Sequence, residues 1–155
     1  MKIFISHKQE DAFVANQIAS ELRMIGVNYY LDLLDSFVVQ NGKELTNHIR
    51  KNLNDCTDII VVMSNMTRFS QWVPFEVGMA AQIDMPTATF LKEDVSLPDF
   101  LQYWPRLKKA SDIRKYVSTR NDVDREYQAY RPLYEANTYQ RRKTEAFYDA
   151  LKQRL

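Results

Sequence analysis

Four short runs of β-branched, aromatic or other apolar residues recur along the chain, at 2–6, 27–31, 58–63 and 86–91, and helical periodicity fills much of the sequence between them. Strands alternating with helices over short connections favour a parallel sheet covered by helices on both faces. Ile59 to Met63 is unbroken in apolar character and reads as a buried strand. Val14, Ile18, Leu22 and Ile25 form the apolar stripe of a first helix over roughly Asp11 to Ile25, with Glu10 and Asp11 at its positive N-terminal end. Gly26 is placed to stop that helix in a left-handed conformation. Leu45, Ile49 and Leu53 mark a second helix, and a third is expected over about 71–83. Residues 33–43 lack helical caps and end on the turn signal Asn41-Gly42, so they read as an exposed loop. Residues 92–103 are a second polar loop containing Pro98; a fifth strand is expected from Trp104 to Leu107, followed by a helix from about Asp112 to Val117.

The C-terminal stretch differs. Six of the nine tyrosines fall between 116 and 148, and two helical stripes are visible: Tyr127, Tyr130 and Tyr134, then Phe147, Leu151 and Leu155. Helices packed back on the sheet are the simpler reading; an oligomer surface is the other. The expected division is a domain over 1–117 and a helical extension over 118–155 packed on it.

Composition narrows the function classes. With 155 residues, 45% hydrophobic and 26% charged, the chain has the make-up of one globular domain with a real core. A net charge of +1 gives no electrostatic footprint for nucleic acid. Cys56 is the only cysteine, which excludes an internal disulfide and suits a reducing compartment. No run approaches the roughly 20 apolar residues of a membrane span, and the N-terminal apolar run is too short for a signal peptide. A cytoplasmic location is expected, with no membrane and no nucleic-acid partner. Gly26, Gly42 and Gly78 are scattered, so neither a dinucleotide fingerprint nor a P-loop exists. His7, His48 and one cysteine do not build a zinc site, and no metal is expected.

The chemistry-bearing residues cluster where strands end. Ser70 can cap the third helix, and Pro74 is tolerated in its first turn. Trp72 and Glu76 are four apart and share a face near that helix's start, just after the third strand. Ligands of open α/β sheets bind at that carboxyl edge. The first strand ends there too, with Ser6, His7 and Lys8, and Asp32 ends the second. Each residue also has a plainer reading: a core aromatic, a solvated carboxylate, a capping histidine, a turn-starting aspartate. Two better-known occupants of this architecture fail on the sequence. A flavin-binding loop needs glycine after strand 1, where this chain has Ser-His-Lys-Gln-Glu-Asp; a phospho-receiver needs an aspartate ending strand 3, where it has Met63-Ser64.

The motifs taken together resemble a family. Phe-Ile-Ser-His at 4–7 with Asp11 is similar to the first box of Toll/interleukin-receptor (TIR) domains. Tyr30-Leu31-Asp32, Gly42 with Leu45 and Ile49, Ile59 to Ser64, Trp72-x-x-x-Glu76, Leu97-Pro98 and the tract from Trp104 to Val117 follow that family's order over residues 1–117. The resemblance implies an α/β, flavodoxin-like three-layer sandwich with a five-stranded parallel sheet of order 2-1-3-4-5, here with extra C-terminal helices. It also implies one of two functions. Some TIR domains are scaffolds that signal by TIR–TIR association. Others cleave NAD⁺, with the catalytic glutamate in Trp-x-x-x-Glu, which maps to Glu76. Ser6, His7, Lys8, Asp32 and Trp72 are then the expected substrate-binding residues, with NAD⁺ as substrate rather than resident cofactor. A nucleoside deoxyribosyltransferase-like enzyme shares the sheet and a glutamate but not the first box.

A domain of this size also resembles the TIR subunit of Thoeris anti-phage defence systems. That resemblance implies a cyclic or modified ADP-ribose signal, a separate effector that senses it and a phage-derived trigger. Phe37, Val38 and Val39 are three consecutive apolar residues in the 33–43 loop, and they are the expected assembly contact between two copies, although folding onto their own domain is the equal alternative.

Overall fold

The computed structural model describes residues 1–31, 42–91 and 95–155. Five strands, β1 (Lys2–Ser6), β2 (Asn28–Leu31), β3 (Asp58–Met63), β4 (Thr87–Leu91) and β5 (Arg106–Leu107), form one sheet. Its order is β2-β1-β3-β4-β5, and every neighbouring pair is parallel. The helices are α1 (Ala12–Met24), α2 (Gly42–Asn54), α3 (Trp72–Gln82), α4 (Ala110–Tyr127) and α5 (Ala136–Arg154). The parallel sheet is the one the strand–helix alternation predicts, and its flavodoxin-like order is the one the family resemblance implies.

Period-two alternation sorts the strand side chains into two cores. Ile3, Ile5, Ile60, Val62, Ala88, Phe90 and Leu107 face α1, α4 and α5. Phe4, Ile59, Val61, Met63 and Leu91 face the other way, with Val73, Val77 and Ala80 of α3 and Leu53 of α2. Every residue of β3 is buried, which is why its sequence is continuous rather than alternating in polarity. Gly26 takes a φ of 71° just after α1, the left-handed stop that lets the chain turn into β2.

The C-terminal part departs from expectation in three ways. First, α4 spans 18 residues instead of ending near Val117, so the expected boundary at 117/118 falls inside a helix. Its buried stripe runs Ile113, Tyr116, Val117, Arg120 and Val123, and the charged Arg120 disguises its continuation. Second, the tyrosine stripe is not carried by one helix. Residues 128–133 form 3-10 turns, Tyr127 packs against the core, and Tyr130 and Tyr134 are exposed. Third, Phe147 and Leu151 of α5 are fully buried while Leu155 is exposed.

α5 also resolves an edge problem. β5 pairs only with Thr89 and Phe90, because Trp104 and Pro105 precede the two residues that are strand. The Thr87 amide on β4 lies beyond its reach and donates instead to the Tyr148 hydroxyl at 3.0 Å. Tyr148 packs against both core clusters, as a side chain lying over the sheet edge must. Beneath α4, the carboxylate of Asp58 accepts from Arg120 Nε and the Tyr116 hydroxyl, both at 2.9 Å. Arg120 and Lys143 both reach Asp124, at 2.5 and 3.0 Å, tying α4 to α5. Among the described residues no helix is long and apolar enough to cross a membrane.

Candidate active site

Ser6 is the last residue of β1 and pairs in register with Val61, two residues short of the end of β3. The segment after β3 turns through Thr67–Phe69 and enters α3. Ser70 closes that entry, its hydroxyl accepting from the amides of Trp72 and Val73 at 3.3 Å each. Glu76 lies one helical turn further on and is 1% exposed. Its Oε2 accepts a hydrogen bond from the Ser6 hydroxyl. A strand and a helix, contributing residues 70 apart in sequence, thus fix one buried carboxylate at the carboxyl edge.

Trp72 sits on the same helix, one turn before Glu76, and is 37% exposed. It meets the Phe75 ring edge-to-face with centroids 6.1 Å apart. A half-open indole beside a buried carboxylate offers a planar base something to stack on and a developing cation something to face. His7 and Lys8 continue from Ser6 and are half-buried. Lys8 pairs with Glu10 at 2.9 Å, and that contact holds the Glu10 carboxyl below its ordinary value. Asp32, Phe37, Val38 and Val39 lie outside the described residues. Among the described residues no group of three or more His, Cys, Asp or Glu side chains could hold a metal ion.

A second cross-link runs beside the first. Asp11, at the start of α1, is buried, and its Oδ2 accepts from the Ser64 hydroxyl at 2.6 Å and from the Thr67 hydroxyl. Ser64 Oγ in turn accepts from the amides of Met66 and Thr67 at 3.1 and 3.2 Å. The chain around the end of β1 is therefore joined to the chain that follows β3 at two levels, Ser6–Glu76 and Asp11–Ser64–Thr67. Sequence reasoning treated Asp11 only as a helix-end charge and first-box residue. The two hydroxyls three apart after β3 were the available signal for its second role. Tyr30 and His48 form a further contact that the sequence did not suggest, with the hydroxyl 3.0 Å from Nε2 and the Tyr30 ring 5.3 Å from Phe4.

The fold agrees with comparison to known proteins. The family model for the TIR domain matches residues 3–133. The chain belongs to the TIR-domain family. That match extends beyond residue 117 and takes in all of α4. Among solved structures, this TIR domain is similar to the TIR-STING receptor of C. gigas, with a TM-score of 0.56 and 20% identity over 72% of this chain; it spans 38% of that receptor's length. It is also similar to a 2-deoxyribosyltransferase from Bacillus psychrosaccharolyticus, with a TM-score of 0.60 and 10% identity over 73% of this chain and 90% of that one. At these identities the likeness is one of fold. No curated protein matches the sequence.

Proposed function

We propose that this TIR domain cleaves the nicotinamide–ribose bond of NAD⁺, as a glycohydrolase or an ADP-ribosyl cyclase. The observation that carries the proposal is the Glu76 carboxylate, buried at the carboxyl edge of the sheet and oriented by Ser6. The leaving nicotinamide is already cationic in the substrate. Its departure takes the C1′–N electron pair and needs no general acid. The ribose that remains is oxocarbenium-like, and a fixed carboxylate stabilises that charge as it develops. Trp72 stacks on a planar base and Lys8 offsets diphosphate charge. The acceptor then bonds to C1′ and releases a proton to solvent. Water as acceptor gives ADP-ribose, and a nucleophile within the substrate gives a cyclic product. A single carboxylate does not dictate which.

The proposal extends to self-association, with 37–39 of one copy reaching the site of another, so that activity rises more than linearly with concentration. Phe13, Met66 and Phe69 are exposed apolar side chains on α1 and on the 64–71 loop that precedes Trp72. They favour association, and they equally suit the second reading, a non-enzymatic scaffold. By resemblance to Thoeris systems, the product is a signal in anti-phage defence, sensed by a separate effector after a phage-derived trigger.

The test is incubation of the pure protein with NAD⁺ across a dilution series, with nicotinamide measured by mass spectrometry. Release that depends on Glu76 supports the enzyme. Base exchange on deoxynucleosides without nicotinamide release would instead favour a deoxyribosyltransferase. TIR–TIR assembly with neither activity would favour the scaffold.

A further inference from the structure

A cavity of about 580 Å³ opens beside β5, where the strand, the start of α4 and the end of α5 meet. Four cations line it: Arg106, Lys108, Lys109 and Lys152. Three come from one short segment. The fold brings Lys152 to them from 43 residues further along, on the turn of α5 that buries Leu151.

The cations around this cavity lack the ion pairs that most of their neighbours on α4 and α5 make. Arg114, Lys115, Arg120 and Arg125, the four basic residues within α4, are each ion-paired, as are Arg141, Lys143 and Arg154 of α5, whereas Arg142 engages the hydroxyl and ring of Tyr134. Among the described residues, none of Arg106, Lys108, Lys109 and Lys152 is within ion-pair distance of a carboxylate. The one acid in the lining is already committed. Asp112 Oδ2 accepts from the backbone amides of Lys108 and Lys109 at 3.0 and 3.2 Å, and Oδ1 lies 3.3 Å from Lys115 Nζ. Four like charges around one space repel one another, and the Asp112 carboxylate offsets them only in part.

We propose that this cavity binds a small phosphate-bearing anion, apart from the crevice at Glu76. Its volume is that of a small-molecule site. Ammonium and guanidinium groups converging from two elements suit phosphate oxygens. The wall made by Trp104 and Pro105, with Leu155 at the rim, leaves room for an apolar or ring portion beside the phosphate. Four exposed cations converging on one open cavity, in a chain of net charge +1, fit a small ligand rather than a nucleic-acid strand. The inference does not depend on NAD⁺ cleavage.

Calorimetric titration of the whole chain with inorganic pyrophosphate and, separately, with AMP tests it. One site is expected, weakening as salt is added. The pair Lys109→Glu and Lys152→Glu should lower affinity at least about tenfold, the loss expected when charge-assisted hydrogen bonds are removed. A control should leave it unchanged: Lys51→Glu on α2. AMP binding more tightly than pyrophosphate would add contact with the apolar wall, and equal binding would make the anion alone what is recognised. The inference is overturned by absence of binding at low salt. It is also overturned if Lys8→Ala abolishes binding while the Lys109/Lys152 pair leaves it intact, or if Lys51→Glu weakens binding as much as the pair does.

Discussion

A carboxylate taken out of water needs donors, and for Glu76 one of them is the Ser6 hydroxyl. The same bond aims the carboxylate: Ser6 is held by a strand buried on both faces, and Glu76 by a helix whose first turn Ser70 has capped. Preorganisation of this kind is what lets one charge act on a transition state without rearrangement. Trp72 plays a different part, because it is half-open and carries no charge. Trp72→Ala should therefore raise KM for NAD⁺ by about tenfold, as expected for losing one base–aromatic stack, with a smaller change in kcat. Steady-state kinetics on the two proteins checks this, and circular dichroism should show an unchanged fold.

At the scale of elements, the first four strands and the first three helices are legible because each has a periodic apolar pattern and a stop. Gly26, Ser70 and Pro74 are local signals with local outcomes. The part that could not be read depends on long-range partners. Arg120 looks like a surface charge and ends the apparent stripe of α4, until Asp58, 62 residues away, is seen to pair with it. Tyr130 and Tyr134 have helical spacing, but the chain there forms 3-10 turns, and periodicity in sequence cannot tell those from an α-helix. The site shows the same division. Trp72, Glu76 and Ser6 are placed by elements with clear patterns, whereas the bonds from Ser64 and Thr67 to Asp11 appear only once β1 and β3 are adjacent. The edge role of Tyr148 was equally hidden. Its hydroxyl serves a β4 amide that the two-residue β5 leaves uncovered, and burial pushes the phenol up to about 12, so it stays neutral. Tyr148→Phe should destabilise the domain by about 1–3 kcal/mol, the cost of a buried amide without a partner, measurable by urea denaturation.

Across the whole molecule, α4 and α5 are part of the domain rather than an appendage, since Tyr116, Phe147 and Leu151 fill the same core as Ile3, Ile5 and Ile60. The Asp58–Arg120 pair lies beneath them, with both side chains almost wholly removed from solvent. Such a pair contributes little relative to an apolar replacement of both partners, but losing one strands the other. Arg120→Met should cost about 3–5 kcal/mol. For a domain of this size that lowers Tm by roughly 10 °C or more, as scanning calorimetry would show. Acid should unfold the protein through its paired aspartates. For Asp124, burial favours the neutral form, but Arg120 and Lys143 outweigh it and hold the carboxyl below its ordinary 3.8. Asp112 is likewise held low, against burial, by the amides of Lys108 and Lys109 and by Lys115. A depressed folded-state value means the stabilisation is fully present above 3.8 and is lost as pH falls through the lower, folded value. Stability from these groups should therefore be level from neutral pH to about 5 and decline below about 4, as followed by circular dichroism.

The central claim, that Glu76 acts on the nicotinamide–ribose bond, is tested most directly by nicotinamide release from NAD⁺ by the wild type and by Glu76→Gln at matched, high protein concentration. Glutamine keeps an oxygen to accept from Ser6, so the fold should persist while the charge is lost. The account predicts release by the wild type and a fall of about a hundredfold or more in the variant, the scale set by removing one preorganised electrostatic group. Equal turnover by the two proteins, with the variant shown to be folded, would contradict it.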